Sequence, residues 1–315
     1  MCEGGDIGRA AIWEKDEPIL YQNALHRIRF NGEVVPRFCL LYLHYLKDAG
    51  ILDIVYGKGV TIKHLVKSSL LSITIPIPPL ATQSRIVSEL DLLQGIIDKK
   101  TAQLQDLDAL AQSIFYEMFG DPVINDKGWE IKKMGDIGEL GRGVSKHRPR
   151  NAPELLGGNT PLIQTGDVAN AGMYINNYSN TYSDLGVAQS KIWASGTLCI
   201  TIAATIGKCA ILGFDACFPD SVVGFVVNSQ LSCNEYIYFI FNRLQSILEE
   251  NAPAVAQKNI NLKLLTNLPI PLPPLSLQQK FAEKIEAIEK QKQIVTVTKR
   301  DLETLLASRM QYWFE

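Results

Sequence analysis

The sequence predicts an α+β protein in which a complete mixed α/β domain and a partial second copy of it are separated by two long helices. Three observations support this prediction: one segment occurs twice, a heptad pattern follows each occurrence, and short β-rich runs lie between the two. The chain has 315 residues, of which 46% are hydrophobic and 20% charged. A chain of this length and composition buries a sizeable core and divides into more than one domain.

The repeat is clearest in a proline-rich segment. Ile75–Leu80 (IPIPPL) recurs 195 residues later as Ile270–Leu275 (IPLPPL). Upstream, the apolar run from Phe38 to Leu46 matches the run from Tyr236 to Leu244. Such self-similarity indicates two copies of one structural unit. The first copy has no counterpart of residues 129–204, so we interpret it as the C-terminal part of a domain.

A heptad pattern follows each proline-rich segment and predicts a helix of about 35 residues, or about 50 Å. The first seam comprises Ile86, Leu90, Leu93, Ile97, Leu104, Leu107, Ala111, Ile114 and Met118. The second comprises Phe281, Ile285, Ile288, Val295, Leu302 and Leu306. A long helix with one narrow apolar stripe needs a partner, so we expect the two helices to pair as an antiparallel coiled coil. Two separate helices on two cores are the alternative.

The region between the helices has the composition of a mixed domain. Gly120-Asp-Pro122 ends the first helix, and short β-rich runs follow at 198–202, 210–212 and 222–227. Residues 234–250 carry a helical pattern. We therefore expect four parts. They are the C-terminal part of a first domain at 1–80, a helix at 81–119, a complete second domain at 120–271 and a second helix at 272–315.

Charge and cysteine content narrow the function. The formal net charge is −2, so any anionic partner must be held by a local patch. The six cysteines form no C-x-x-C pair, which favours reduced thiols in a cytoplasm. We find no signal peptide and no apolar run long enough to cross a bilayer, and we expect a cytoplasmic protein.

Several short motifs occur in a fixed order along the chain. They are Gly128–Ile137 (GWEIKKMGDI), Thr165–Val168 (TGDV), Ile206–Lys208 (IGK), Gln257–Ile260 (QKNI), and Leu268–Leu275 (LPIPLPPL) followed by Gln278-Gln279. Each motif alone is weak, but their order, with a heptad helix after each proline-rich segment, is specific. The sequence resembles the DNA specificity subunits of type I restriction-modification systems over essentially its whole length.

The resemblance implies a non-catalytic subunit without a cofactor that recognises double-stranded DNA. It implies two target-recognition domains, separated by paired helices, that each read one half of a split target. It also implies partners: methyltransferase (modification) subunits, which dock on the helices, and a restriction subunit. The first recognition domain departs from the family because its N-terminal half is missing. The alternatives are a structural coiled-coil adaptor and a truncated silent cassette without independent DNA recognition.

One segment is the strongest candidate for phosphate contact. Positive charge is concentrated at Arg142, Lys146, His147, Arg148 and Arg150, and no acid occurs from Leu140 to Pro153. Gly141, Gly143 and Pro149 predict a loop. Cations that neutralise phosphates supply much of the affinity for DNA. The alternative is a solvated loop.

Polar residues elsewhere are candidates for reading bases or for further phosphate contact. Amides pair bidentately with adenine, and lysine pairs with guanine or phosphate. The candidates are Gln164 with Thr165, Gln257 with Lys258 and Asn259, Lys63 opposite Lys258 in the repeat, and Lys208 with its repeat counterpart Arg9. The alternative for the amides is a cap or a turn. A weaker candidate is aromatic contact from Tyr174, Tyr178 and Tyr182, which we place in a loop.

The motifs of catalysis are missing from the sequence. We find neither the Asn/Asp-Pro-Pro-aromatic loop of adenine methyltransferases nor a phosphate-binding G-x-x-x-x-G-K-[ST] loop. The four histidines have no metal-ligand spacing. Asp126, Glu130 and Lys132 resemble part of a metal-nuclease cluster, but the flanking Trp129 favours a segment that opens the second domain. Catalysis is therefore expected in partner subunits.

Overall fold

The computed structural model describes residues 1–2, 4, 7–59, 63–203, 207–250 and 261–315. Within these residues the helices are α1 (Pro36–Asp48), α2 (Lys67–Leu71), α3 (Leu80–Phe119), α4 (Thr165–Asn170), α5 (Asp184–Ala188), α6 (Asn234–Glu250), α7 (Leu262–Thr266) and α8 (Leu275–Phe314). The chain forms two compact units. The first comprises Met1–Asp106 with Lys292–Glu315, and the second comprises Leu107–Gln291.

The strands are short and belong to the second unit. They are β1 (Glu130–Lys133), β2 (Gly138–Arg142), β3 (Leu156–Leu162), β4 (Tyr174–Ile175), β5 (Asn180–Tyr182), β6 (Ile192–Trp193), β7 (Leu198–Thr201), β8 (Cys209–Leu212), β9 (Ala216–Cys217), β10 (Val222–Val227) and β11 (Pro269–Leu272). The predicted helix at 234–250 and the predicted strands at 198–202, 210–212 and 222–227 are confirmed, with shifts of one residue at strand ends.

Both long helices start at the leucine of the repeated Pro-Pro-Leu and run for 40 residues, somewhat longer than the predicted 35. Proline fixes φ and disfavours helical backbone in the residue before it, so the chain stays extended up to Pro78 and Pro273. Helix α3 ends at Phe119 and is followed by Gly120, whose φ of 75° lies in the left-handed region that favours glycine.

Each unit contains opposite halves of the two long helices, so the helices are antiparallel. In the first unit, Glu89 near the start of α3 bonds to Arg309 near the end of α8. In the second unit, the ring of Phe119 at the end of α3 lies 5.2 Å from that of Phe281 near the start of α8. Every residue of both predicted seams is buried or half-buried. The predicted antiparallel pairing is confirmed.

The first unit packs α1 against the long helices. Pro36 occupies the first turn of α1, where its missing N–H costs no hydrogen bond. The ring of Phe314, the last residue of α8, lies 5.6 Å from Phe38 and 5.4 Å from Tyr42, both on α1. Ile86 of α3 is buried in the same cluster. The predicted apolar run 38–46 therefore forms the core of this unit.

The second unit repeats this arrangement around α6. The ring of Phe119 lies 4.8 Å from that of Tyr236 on α6. Phe115 and Phe281 complete an aromatic cluster that is almost fully buried. The seam prediction missed Phe115 and Phe119, which are more deeply buried than the predicted Ile114 and Met118.

Two buried glutamines tie the start of each long helix to the preceding chain. Gln83 and Gln278 are both fully buried. The Nε2 amide of Gln83 donates to the carbonyl of Pro78 at 2.8 Å, and that of Gln278 donates to the carbonyl of Pro273 at 2.8 Å. Because each glutamine bonds to the proline five residues before it, the repeat extends to individual hydrogen bonds.

Three sheets build the rest of the second unit. A two-stranded sheet pairs β1 with β11, a five-stranded sheet has the order β2-β10-β7-β8-β4, and a four-stranded sheet has the order β5-β3-β9-β6. The pairs β3·β9 and β4·β8 are parallel, and the remaining pairs are antiparallel. A cluster including Ile163, Phe218, Ala210 and Val222 joins residues from the two larger sheets.

All six cysteines are free thiols, and Cys39, Cys199, Cys209 and Cys217 are buried. Burial raises the pKa of the Cys39 thiol to about 11 and that of Cys209 to about 12, so these thiols stay protonated near neutral pH. Among the described residues, none of the helices is long and apolar enough to span a bilayer.

Candidate nucleic-acid interface

One edge of the five-stranded sheet collects chain segments that are distant in sequence. Arg142, the last residue of β2, pairs with Val223 of β10, and Val222 pairs with Thr201 at the end of β7. The backbone N–H of Thr201 donates in turn to the carbonyl of Lys208, which precedes β8. Arg142 and Lys208 therefore lie at the same edge, three strand spacings or about 14 Å apart.

The four-stranded sheet contributes to the same region. Leu162 at the end of β3 pairs in parallel with Cys217 at the end of β9. Neighbouring parallel strands end at the same edge of a sheet. Gln164 follows β3 and Asp220 follows β9, so both residues lie beyond that edge. Asp220 belongs to the turn that leads into β10. We call the surface formed by Arg142, residues 146–150, Gln164, Lys208 and Asp220 the basic edge.

The loop after β2 is fixed by its backbone. The N–H of Gly143 donates to the carbonyl of Val222 at 2.9 Å, and the N–H of Val144 donates to that of Phe218 at 3.1 Å. The Oε1 atom of Gln189 accepts from the backbone N–H of Lys146 at 2.6 Å and of His147 at 3.0 Å. Residues 143–147 are thus positioned without using the charged ends of their side chains.

Acidic groups meet this loop in space, although none occurs within it. Arg150 Nη2 lies 2.5 Å from Asp220 Oδ1, and Arg148 Nη2 lies 3.8 Å from Asp220 Oδ2. The ring of His147 lies 3.9 Å from a carboxylate oxygen of Glu154. Asp220 is distant from this loop in the sequence, and the β9–β10 turn brings it to Arg148 and Arg150.

Among Arg142, Lys146, Arg148 and Arg150, Lys146 has the charge that remains most available. It is exposed, and its ammonium makes no hydrogen bond or ion pair to any residue that the structure describes. Arg142, by contrast, uses Nε to donate to the carbonyl of Asp220 at 3.1 Å. Arg148 uses Nη1 to donate to the carbonyl of Ser145 at 2.6 Å. Of the four strong cations predicted, Lys146 is therefore the best placed to meet a phosphate.

The sequence interpretation missed Lys191, which lies beside this loop. Its exposed ammonium is 3.7 Å from the centre of the Trp193 ring, a cation–π contact. Ser190 connects this segment to the loop, because its hydroxyl donates to the carbonyl of Val144 at 2.7 Å. Lys191 has no other cation near it in the sequence, so only its position next to Trp193 could have indicated it.

Two glycines make room for Trp193. Gly141 of β2 and Gly224 of β10 are cross-strand partners. A Cβ atom added to Gly141 would lie 2.8 Å from the indole ring, and one added to Gly224 would lie 2.7 Å from it. The prediction of Gly141 as part of a loop is wrong: it is a strand residue, and its missing side chain allows Trp193 to pack on the sheet.

The candidate base-reading residues differ in exposure, and some of them lie outside the described residues. Gln164 is exposed just before α4, and its backbone N–H donates to Asp167 Oδ2 at 2.8 Å. Asp167 therefore satisfies a backbone amide, as predicted, and Thr165 is half-buried in the first turn of α4. Gln257, Lys258 and Asn259 lie outside the described residues.

The remaining cations divide between the two units. Lys208 is half-buried, and its backbone N–H donates to Thr201 Oγ1 at 3.1 Å. It follows Gly207, whose φ is 82°. Arg9 is exposed and Lys63 is half-buried, and both belong to the first unit. The basic edge of the second unit therefore contains seven of the predicted residues: Arg142, Lys146, His147, Arg148, Arg150, Gln164 and Lys208.

The three tyrosines are not one loop. Tyr174 lies in β4, where its hydroxyl donates to Glu235 Oε1 at 3.0 Å. Burial, together with the Glu235 carboxylate, raises the pKa of Tyr174. Tyr182 lies in β5 and is buried, while Tyr178 is exposed. The loop interpretation is thus wrong for Tyr174 and Tyr182, whose rings are used in packing.

The acidic segment with a nuclease-like spacing serves the turn after α3. Asp126 Oδ1 accepts from the backbone N–H of Asp121 at 2.8 Å. Glu130 lies 3.6 Å from Lys132 in an exposed ion pair. The indole N–H of Trp129 donates to the carbonyl of Phe119 at 2.9 Å. Within the described ranges, no group of three or more His, Cys, Asp or Glu side chains is arranged to hold a metal ion.

The chain contains two copies of one structural unit, and each copy packs against the two long antiparallel helices. The second copy carries the basic edge. The family model for the type I restriction modification DNA specificity domain matches residues 2–108 and 126–304. The chain belongs to this family.

Relatives and solved structures agree with the family match. The chain is 25% identical, over 95% of its length and 74% of the relative, to a Methanocaldococcus jannaschii protein provisionally named the type I restriction enzyme MjaX specificity subunit. It is 22% identical to the type I restriction enzyme MjaVIII specificity subunit of the same organism, over 96% of its own length and 74% of the relative. The crystal structure of the type I restriction-modification system S subunit from M. genitalium has a similar fold. Its TM-score is 0.60 at 14% identity, covering 100% of this chain and 82% of that one.

Proposed function

We propose that the chain is the sequence-recognition subunit of a type I restriction-modification complex and that the basic edge contacts double-stranded DNA. In this role it brings modification (methyltransferase) subunits and a restriction subunit to a split target in the cytoplasm, while the chemistry resides in those partners. Family membership supports the role of the whole chain. The geometry of the second unit supports the place of contact.

The observation that carries the proposal is the convergence of cations on one sheet edge. The end of β2 contributes Arg142, the loop after it contributes Lys146, Arg148 and Arg150, and the β7–β8 connection contributes Lys208. Lys191 lies beside them. Because the net charge of the chain is −2, this concentration of positive charge is a local property and not a consequence of composition.

The residues of the edge suit two different tasks. Lys146 and Lys191 present exposed ammonium groups, which neutralise phosphates whatever the sequence. Gln164 presents an exposed amide, which can read a base edge by two hydrogen bonds. Thr165, Gln257, Lys258 and Asn259 are proposed to take part in the same contact. In the first unit, Arg9 and Lys63 occupy the positions that correspond to Lys208 and Lys258.

Duplex selection tests the proposal. The chain is purified together with its modification subunits, and bound duplexes are selected from a library with a randomised central region. We expect selection of one split sequence and methylation of that sequence by the complex, while the chain alone transfers no methyl group. A complex that binds every duplex equally, or none, would contradict the proposed role and leave a structural adaptor as the better account.

Single side-chain replacements then test whether Gln164 and Gln257 recognise bases. Gln164→Ala, or Gln257→Ala, should change which duplexes are selected, because each removes a group that distinguishes bases. Removing one good bidentate base pairing costs about 1–3 kcal/mol of discrimination at one position. An unchanged selection by Gln164→Ala would assign that residue to capping α4 and remove it from the interface.

A further inference from the structure

Three arginines of the basic edge converge on a single residue of the β9–β10 turn. The carboxylate of Asp220 faces Arg150 at 2.5 Å and Arg148 at 3.8 Å, and its backbone carbonyl accepts from Arg142 Nε at 3.1 Å. The side chain of Asp220 keeps 36% of its accessible surface, and those of Arg148 and Arg150 keep 56% and 45%. Asp220 is therefore half-buried and its Oδ1 atom is shielded from solvent, whereas the side chains of Arg148 and Arg150 are exposed and open to a competing anion.

The position of the loop does not depend on this carboxylate. Its backbone is held by Gln189, Phe218 and Val222, through bonds that Asp220 does not join. Arg148 is also held by the carbonyls of Ser145 and His147. Removing the charge at Asp220 should therefore leave the fold of the loop intact and change only the electrostatics.

We propose that Asp220 is an internal counterion that competes with DNA phosphates for Arg148 and Arg150 and thereby lowers the affinity for DNA of any sequence. This inference rests on the proposed function. An exposed ion pair is weak, and a phosphate offers an arginine charge-assisted, often bidentate hydrogen bonds. Phosphate can therefore displace the carboxylate, but part of the attraction is used in breaking the ion pairs.

The experiment measures affinity for duplexes that lack the selected target. The complex with modification subunits is titrated with such duplexes at several salt concentrations, as wild type and as Asp220→Asn. The amide keeps the shape of the side chain and removes its charge. We expect Asp220→Asn to bind about three- to tenfold more tightly at about 0.1 M salt. The salt dependence should steepen by about 0.9 for each arginine released, and the ranking of duplexes should not change.

Asp215→Asn is the matched control. Asp215 is exposed in the turn after β8, at the opposite end of that strand from Lys208, and its carboxylate accepts from the backbone N–H of Ser195 at 2.8 Å. This replacement changes the net charge equally and should leave binding as in the wild type. The gain from Asp220→Asn should also vanish when Arg148 and Arg150 are both alanine, and Asp220→Ala should reproduce it.

The other outcomes overturn the inference in distinguishable ways. Equal binding by Asp220→Asn and Asp215→Asn would show that the ion pairs do not compete with phosphate. Weaker binding by both Asp220→Asn and Asp220→Ala would assign Asp220 to positioning the arginines. If the wild-type complex binds no duplex at all, the proposed function fails and the inference fails with it.

Discussion

The start of α3 in the first unit and the start of α8 in the second unit share three hydrogen bonds of a buried glutamine, and Gln278 alone also accepts one from the Ser232 hydroxyl at 2.7 Å. The Oε1 atom of Gln83 accepts from the backbone N–H of Val35 at 2.8 Å, and that of Gln278 accepts from the N–H of Cys233 at 3.3 Å. Each glutamine also donates to the proline five residues before it. Both copies of the repeat therefore contain the hydrogen bonds that hold the start of a long helix.

The two units differ where the chain is not repeated. In the second unit, Ile270 lies in β11, pairs with β1 and is fully buried. Its counterpart Ile75 is half-buried and lies outside any strand that the structure describes. The strand that would pair with it corresponds to a part of the second unit that has no repeat. The comparison separates a repeated element that docks helices from a non-repeated element that carries the basic edge.

The largest effect that tests this comparison is expected from the terminal phenylalanines of the long helices. Phe119→Ala and Phe314→Ala each remove a buried ring from an aromatic cluster, and each should lower the free energy of unfolding by about 3–5 kcal/mol. Phe119→Ala should cost more, because Phe119 is 2% exposed and Phe314 is 8% exposed. Chemical unfolding measures the loss.

Amide hydrogen exchange shows whether each replacement destabilises only the unit that contains it. Phe314→Ala should accelerate exchange in α1, and Phe119→Ala should accelerate it in α6, because those helices contact the respective rings. Leu110→Ala and Leu305→Ala, at positions that are 48% and 45% exposed on the same helices, serve as controls. Acceleration of α6 exchange by Phe314→Ala would show that the units are not independent in stability.

The buried glutamines provide the next largest effect. Gln83→Ala and Gln278→Ala leave backbone groups that have lost their partners in the core, at a cost of about 2–4 kcal/mol for each variant. We expect similar losses, the larger at Gln278, because its Oε1 atom also accepts from the Ser232 hydroxyl. Unfolding of Gln279→Ala, which changes an exposed neighbour, should match the wild type. A loss at one glutamine only would break the equivalence of the two helix starts.

Much of this architecture could be predicted from the sequence, because repetition and heptad spacing report on burial directly. The buried or half-buried seams follow from those patterns, as does the start of α3 at Leu80, one residue before the predicted 81. The predicted start of the second helix at 272 is wrong: α8 begins at Leu275, because Pro269–Leu272 form β11. The aromatic partners Phe115 and Phe119 do not follow from those patterns, because a heptad seam describes one stripe, whereas the helix ends are surrounded on more sides by α6.

The candidate site was less predictable for a physical reason. Charges within one segment are visible in sequence, but Asp220 reaches the loop through strand pairing, and Lys191 reaches it through Ser190 and Trp193. Long-range pairing determines which charges meet. A count of acids and bases along the sequence therefore misses the acidic partner of Arg148 and Arg150.

A smaller effect is expected from the exposed lysines of the basic edge. Lys146→Ala with Lys191→Ala should lower affinity for all duplexes and reduce the salt dependence by about 0.9 for each phosphate that is no longer neutralised. The selected sequence should not change. Lys280→Ala with Lys290→Ala removes the same charge from exposed positions on α8 and is the control. An unchanged salt slope in the first double variant would show that these lysines are only solvated.

The smallest effect concerns an ion pair that the second unit does not share. Glu89 accepts hydrogen bonds from Arg309 Nε and Nη2 and from the indole of Trp313. The hydrogen bonds from Arg309 lower the pKa of the Glu89 carboxyl below its ordinary value. The positions equivalent to Glu89 and Arg309 in the second unit are Lys284 and Ile114, which cannot form this pair.

The lowered pKa predicts a pH dependence confined to the first unit. A carboxylate whose pKa is lower in the folded chain stabilises the fold above its unfolded pKa, and this stability is lost as pH falls through the folded pKa. Glu89→Gln should therefore lower Tm by roughly 1–3 °C near pH 7, and the difference should shrink as pH falls through the folded pKa of Glu89, which lies below its ordinary value. Lys284→Gln should show no such convergence, because no equivalent carboxylate titrates there. A Glu89→Gln difference that persists in acid would assign the effect to packing against Trp313 and not to the ion pair.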